Sequence, residues 1–173
     1  MIGISMTTAG QRGKKPWPNG FMATLVALAL GLLSVGHPTE AATTERLVVD
    51  PHSGLAIAGF DPVAYFTDGE ALPGRGEFER AFAGAVWRFR NEGNRAAFMA
   101  DPNVYMPQFG GYDPTGVARG APVPGNPRFW LIWNERLFLF YSGEARDVFA
   151  RDSAEIIATA IQGWEALQPK LAE

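Results

Sequence analysis

The chain predicts an α+β fold: a small antiparallel sheet of four to five strands, built from two hairpins, with three or more short helices. Two pairs of strand-like runs predict the hairpins, Phe78–Phe82 with Ala85–Arg90 and Phe129–Trp133 with Leu137–Tyr141. Short turns, Ala83-Gly84 and Asn134-Glu135-Arg136, join them. Capping residues predict the helices: Asn91 stands before Glu92–Ala100, and Asp152 precedes a run with Glu155 three residues on.

Taken in order, the first 42 residues read as a secretory leader. Arg12, Lys14 and Lys15 make a positive start, Phe21–Val35 an apolar run, and small residues at Ala41-Ala42 a cleavage site. The apolar run falls short of the ~20 residues a spanning helix needs, so an uncleaved membrane anchor is the second reading. The expected location is therefore periplasmic or secreted. Residues 43–58 form a lead and a first strand, with Leu55–Ala58 as the strand and Gly59 as its end. Residues 59–168 carry the main domain, and 169–173 a tail after Pro169.

Within that domain Asp61-Pro62 has the chemistry of a helix start, a carboxylate to cap free amides and a proline at the first helical position. The turn it opens carries Tyr65 and Phe66 and closes at Thr67-Asp68-Gly69. In the second strand of the first hairpin, Ala85, Trp87 and Phe89 alternate with Val86, Arg88 and Arg90, which points the first three at the core. Asp101-Pro102 repeats the acid–proline start ahead of Tyr105. Pro107–Pro127 reads as a long loop rich in glycine and proline, a length that favours function. The second hairpin is almost unbroken in apolar residues, so both its strands are expected to be covered on both faces. Glu144–Ala150 is a short helix, and Ile157, Ile161, Trp164 and Leu167 give the last helix its apolar stripe. No internal repeat is legible after the leader.

Composition excludes several functions. The leader holds three of the 15 basic residues and one of the 18 acidic ones, which leaves 12 against 17 and a net charge of −5. Lys170 is the one lysine left, so the chain offers no basic patch for a phosphate backbone, and nucleic acid is excluded as a partner. With 0 cysteines there is no thiolate nucleophile or ligand, and His52 is the one histidine outside the leader. A site must work with carboxylates, tyrosines, amides and backbone. The candidates are Asp61, Tyr65, Tyr105, Tyr112, Asp113 and Arg119, with Asp61 and Asp113 as metal ligands if a metal binds. Three have a structural reading beside the functional one: Asp61 as a cap, Tyr65 as core, and Tyr112-Asp113 as the start of a β-turn at Asp113-Pro114-Thr115-Gly116.

The order Asp61-Pro62-Val63, Phe89–Phe98 and Ala100–Tyr105 resembles the YHS domain family. Gly59–Phe66 and Gly110-Gly111-Tyr112 resemble the opening and the glycine–tyrosine segment of its longer exported members. The likeness covers about Leu55 to Leu167. Many members resemble metal binders through cysteines, one after Asp-Pro-Val and a pair around the strand-to-helix junction. Those positions are Ala64, Arg90 and Asn94 here, and the residues behind the family's name fall at Trp87, Arg88 and Asn91. Asp113 stands where exported members often have cysteine. Thioether ligands are left at Met99 and Met106 alone, too few for the family's soft-metal chemistry to carry over.

The expected function is a non-catalytic periplasmic binding or accessory domain, whose partner is a small ligand or another periplasmic protein. The alternative is a metal-binding protein that uses Asp and Tyr oxygens in place of cysteines. An enzyme ranks third, because no nucleophile–base pair and no cofactor motif is present, and no cofactor is predicted.

Overall fold

The computed structural model describes residues 45–171. The leader predicted over residues 1–42, the start of the lead and the end of the tail lie outside the described residues. Contacts divide the chain at Glu40, and the described residues all belong to the unit Ala41–Glu173.

In chain order the elements are a left-handed turn Ile57–Gly59, α1 Ala64–Thr67, β1 Arg75–Phe82, β2 Ala85–Phe89, α2 Glu92–Ala100 and α3 Pro102–Tyr105. A second left-handed turn lies at Gln108–Gly111. It is followed by α4 Pro114–Ala118, β3 Asn126–Trp133, β4 Arg136–Phe140, α5 Gly143–Arg151, α6 Ser153–Leu167 and a final 3-10 turn Gln168–Lys170. Among the described residues no helix is long and apolar enough to cross a membrane.

The strands do not form the single sheet of four to five strands that the sequence predicts. Among the described residues they make two separate two-stranded antiparallel sheets, β1–β2 and β3–β4, set among six helices. The free edges explain the difference. Beside β2 lies the lead, where the Ala56 N–H donates to the Val86 carbonyl at 2.9 Å and Leu55 bridges Val86 in the parallel sense. At the end of β4 the Tyr141 N–H is taken by the Asp113 side chain at 2.9 Å. The hairpins meet through side chains instead. Leu137 and Leu139 enter the same buried cluster as Trp87, Phe89 and Phe98, with Trp130 and Ile132 packed against it.

Both hairpin turns have two residues at positive φ, Ala83 and Gly84 in the first and Asn134 and Glu135 in the second. That is the primed-turn geometry whose twist suits a two-residue connection. Asn91 caps α2 as its sequence suggests, its side chain accepting from the Asn94 N–H at 2.9 Å. Trp87 and Phe89 are fully buried, as the alternation predicts, and Phe98 of α2 packs on both.

Other local expectations fail. Leu55–Ala58 reads as a strand, yet it supplies only single bridges at Leu55 and Ala56 before the chain turns left-handed, with φ of 44° at Ile57, 53° at Ala58 and 76° at Gly59. Such geometry is disfavoured for Ile and Ala, and surrounding bonds must hold it. Those bonds come from the lead: the Val48 carbonyl accepts from the Ile57 N–H at 3.2 Å, and the Val48 N–H donates to the Gly110 carbonyl at 2.8 Å. A Cβ on Gly110 would collide with the Arg46 carbonyl, so glycine is required where this strap crosses. The long loop Pro107–Pro127 contains its own turn and helix α4. On α6 the predicted stripe holds in part: Leu167 is buried and Ile157 and Trp164 pack on core clusters, but Ile161 is 49% exposed, and Ser153 and Ala160 are the other buried positions. Gly163 sets that face, because α6 lies so close to α4 that a Cβ there would strike the Val117 carbonyl. Asp152 begins α6 without a side-chain capping bond, contrary to the predicted capping box.

Candidate functional site

The candidate acids occupy two joints of matching construction. At the first, Asp61 is fully buried after the left-handed turn, in a bend stabilised by its own side chain. Oδ1 accepts from the Val63 N–H at 2.8 Å, and Oδ2 from the Arg90 N–H and the Asn94 side-chain amide, both at 2.7 Å. At the second, Asp113 is 2% exposed and caps α4. Its Oδ1 accepts from the Thr115 N–H at 2.7 Å and the Thr115 hydroxyl at 2.8 Å, and its Oδ2 from the Tyr141 N–H. Three donors per carboxylate compensate for taking a polar group out of water. Each acid therefore fastens a loop to the end of a strand, β2 for Asp61 and β4 for Asp113. Neither points a free oxygen at a common site.

The tyrosines are placed as follows. Tyr65 is buried, donates to the Pro127 carbonyl at 2.9 Å and meets Trp130 edge-on at 5.2 Å between centroids. Tyr105 is half-buried and packs edge-on against Phe66 at 5.4 Å, which brings the turns opened by Asp61-Pro62 and Asp101-Pro102 into contact. Tyr112 is buried, donates to the Glu45 carbonyl and leans on Trp164. Arg119 lies just after α4, beside a shallow cleft of about 370 Å³ that Asp152, Glu155 and Thr159 also line. Among the described residues no group of three or more His, Cys, Asp or Glu is arranged to hold a metal ion.

Both buried phenols are held in their neutral form. Burial, and secondarily the Asp61 charge, raises the Tyr65 pKa above its ordinary value of 10.0. Burial and then the charge of Glu45 push Tyr112 up to about 12. A folded-state pKa above the unfolded one means the contribution is whole below pH 10 and lost as the pH climbs. We expect urea stability to fall from pH 10.0 towards about 12, and Tyr112→Phe to flatten that decline. An absorbance titration of tyrosinate alongside the melts checks it, since ionisation of all 4 tyrosines at pH 10 without loss of fold would contradict the burial of Tyr65 and Tyr112.

The feature that sequence reasoning missed is a cavity of about 740 Å³, lined by Leu47, Val49, Met106, Pro107, Trp164 and Gln168 among others. The first hairpin's turn, Ala83-Gly84, closes one side, and Glu45 and Arg46 add charge to the lining. Its walls come from the lead, two loops and the end of α6, segments far apart in sequence. The long glycine-rich loop was the one signal for it, since Met106, Pro107 and Gly110 line the cavity at its start.

Comparison with family models, curated proteins and solved structures gave no match to the chain.

Proposed function

We propose that the chain is a non-catalytic, exported binding domain whose ligand is a small, largely apolar organic molecule held in this cavity. The observation that carries the reading is the cavity itself. Its volume of about 740 Å³ lies within the range of small-molecule sites, and its lining mixes apolar side chains, one indole and a few polar groups. Trp164 offers a face for stacking, Met106 an adaptable wall, and Gln168 an amide that fixes orientation. The leader supports a periplasmic or secreted location, and the resemblance to the YHS family supports a binding role without catalysis. In this reading Asp61 and Asp113 are structural, since their oxygens are taken up by backbone and side-chain donors.

Native mass spectrometry of protein purified from its own compartment tests the proposal. The expected result is an additional organic mass that Met106→Trp, which narrows the cavity beside Trp164 and Pro107, reduces while the fold is kept. Quenching of Trp164 fluorescence by the extracted molecule should follow the same pattern. Protein that carries no added mass, together with no thermal shift on a panel of apolar metabolites, would overturn the reading.

A further inference from the structure

We infer that this domain is a tandem duplication, two diverged copies of one joint–hairpin–helix unit, and that the two buried aspartates are the same latch with a different third donor in each copy. The first copy runs from the turn at Ile57 to Asp101, the second from Phe109 to Asp152. The structural equivalences cover the joint, the hairpin and the helix that follows it.

Each copy opens with three consecutive residues at positive φ, Ile57-Ala58-Gly59 and Phe109-Gly110-Gly111. An aromatic in extended geometry follows, Phe60 at φ −72° and ψ 150°, Tyr112 at φ −75° and ψ 149°. Phe60 bridges Pro73, and Tyr112 bridges Pro124. The Asp61 N–H donates to the Leu72 carbonyl, and that of Asp113 to Val123; Gly74 returns to Gly59 as Gly125 returns to Gly111. The carboxylates then repeat their bonds, Oδ1 to the N–H two residues on and Oδ2 to the first N–H after the hairpin.

The hairpins agree in their irregularities as well. Register slips between Arg75 and Glu79 in one and between Asn126 and Trp130 in the other, which is the same place. In both hairpins four residues of the first strand pass against one of the second, and the recurrence of so specific an irregularity at one position is hard to reach by chance. Asn91 and Ser142 cap helices of 9 residues each. The inward phenylalanines pack alike. Phe98 lies 5.0 Å from Trp87 at 37° and 5.2 Å from Phe89 at 52°, while Phe149 lies 5.0 Å from Phe138 at 39° and 5.1 Å from Phe140 at 57°.

In sequence the copies share Gly-aromatic-Asp-Pro at the joint, Pro-Gly before the first strand, and Phe89, Phe98 and Asp101 as Phe140, Phe149 and Asp152. The second copy is one residue shorter between joint and hairpin, which shifts the register and hides the repeat from a reading by eye. The domain thus carries an internal repeat whose few sequence traces become legible only once the two copies are superposed in structure.

The divergence is compensated. The first copy takes its third donor from Asn94, whose counterpart in the second copy is Ala145. The second takes its third donor from the Thr115 hydroxyl, whose counterpart in the first is Val63. Each latch has lost the donor that the other uses.

The test exchanges the donors within the full chain. Asn94→Ala is expected to lower Tm by about 5 °C, the scale for one hydrogen bond to a charged acceptor in a domain of this size. Adding Val63→Thr to that variant is expected to restore most of the loss, because the new hydroxyl sits where that of Thr115 does. Conversely, Thr115→Val is expected to lower Tm, and Ala145→Asn to restore it. Rescue in both directions supports one latch in two copies. Rescue in one direction only, in neither, or no loss on removing the donors overturns it. Each single change removes one bond and leaves two, so the variants stay folded enough to measure.

Discussion

Asp61→Ala is expected to be among the most damaging polar substitutions in the domain, costing about 3–5 kcal/mol. The side chain is fully buried, and its loss strands the Val63 N–H, the Arg90 N–H and the Asn94 amide together. An unpaired buried donor is costly because the solvation it gave up is not replaced. Asp61→Asn should be nearly as harmful, since its amide nitrogen would face donors where Oδ2 accepted. Asp113→Ala should behave likewise through Thr115 and Tyr141. Urea melts check all three, with the slope kept and the midpoint lowered. A carboxylate that served only a metal or ligand would leave the midpoint in place, so a null result removes the structural role.

Phe98→Ala is expected to cost about 3–5 kcal/mol, the range for emptying a buried aromatic site. Phe98 is fully buried and touches Phe82, Trp87 and Phe89 with centroids 5.6, 5.0 and 5.2 Å away. It is the one buried residue of α2, so its loss also frees the helix from the first hairpin. Phe149→Ala removes the corresponding ring between Phe138 and Phe140 and should cost a similar amount. Phe98→Leu keeps much of the volume and should lose roughly half as much. Equilibrium melts of the three variants rank them. A loss below that of Phe98→Leu for either alanine would show that the site collapses on itself.

Much of the local structure was legible because it was written in local chemistry. Asn91 and Pro102 bracket α2 at the residues observed, and the alternation from Ala85 to Phe89 gives the buried face of β2. What failed depended on distant partners. Ile57 is β-branched and apolar, and only the Val48 clasp and Gly59 explain why it turns left-handed and does not extend. The separate sheets follow from which segment reaches the edge of β2 first, and the lead does so through Ala56. On α6 the stripe of large residues holds at Ile157, Trp164 and Leu167 and fails at Ile161, while Gly163, which brings a backbone, not a side chain, against α4, was not legible as part of the packed face. At the joints, Asp-Pro alone suffices to read Asp61 as a cap and Asp113 as part of a turn. Their bonds to Arg90 and Tyr141 were not legible, because those donors lie a full hairpin away.

The strap at Val48 has a further consequence for how the domain opens. Its N–H and its carbonyl hold the second and the first left-handed turn respectively, so one residue fastens the opening turns of both halves. Neither turn can relax to ordinary backbone geometry while that residue stays in place, and once it leaves, both are released together. In native-state hydrogen exchange the amides of Val48 and Ile57 should therefore report one shared opening event, a single cooperative unit spanning residues far apart in the chain.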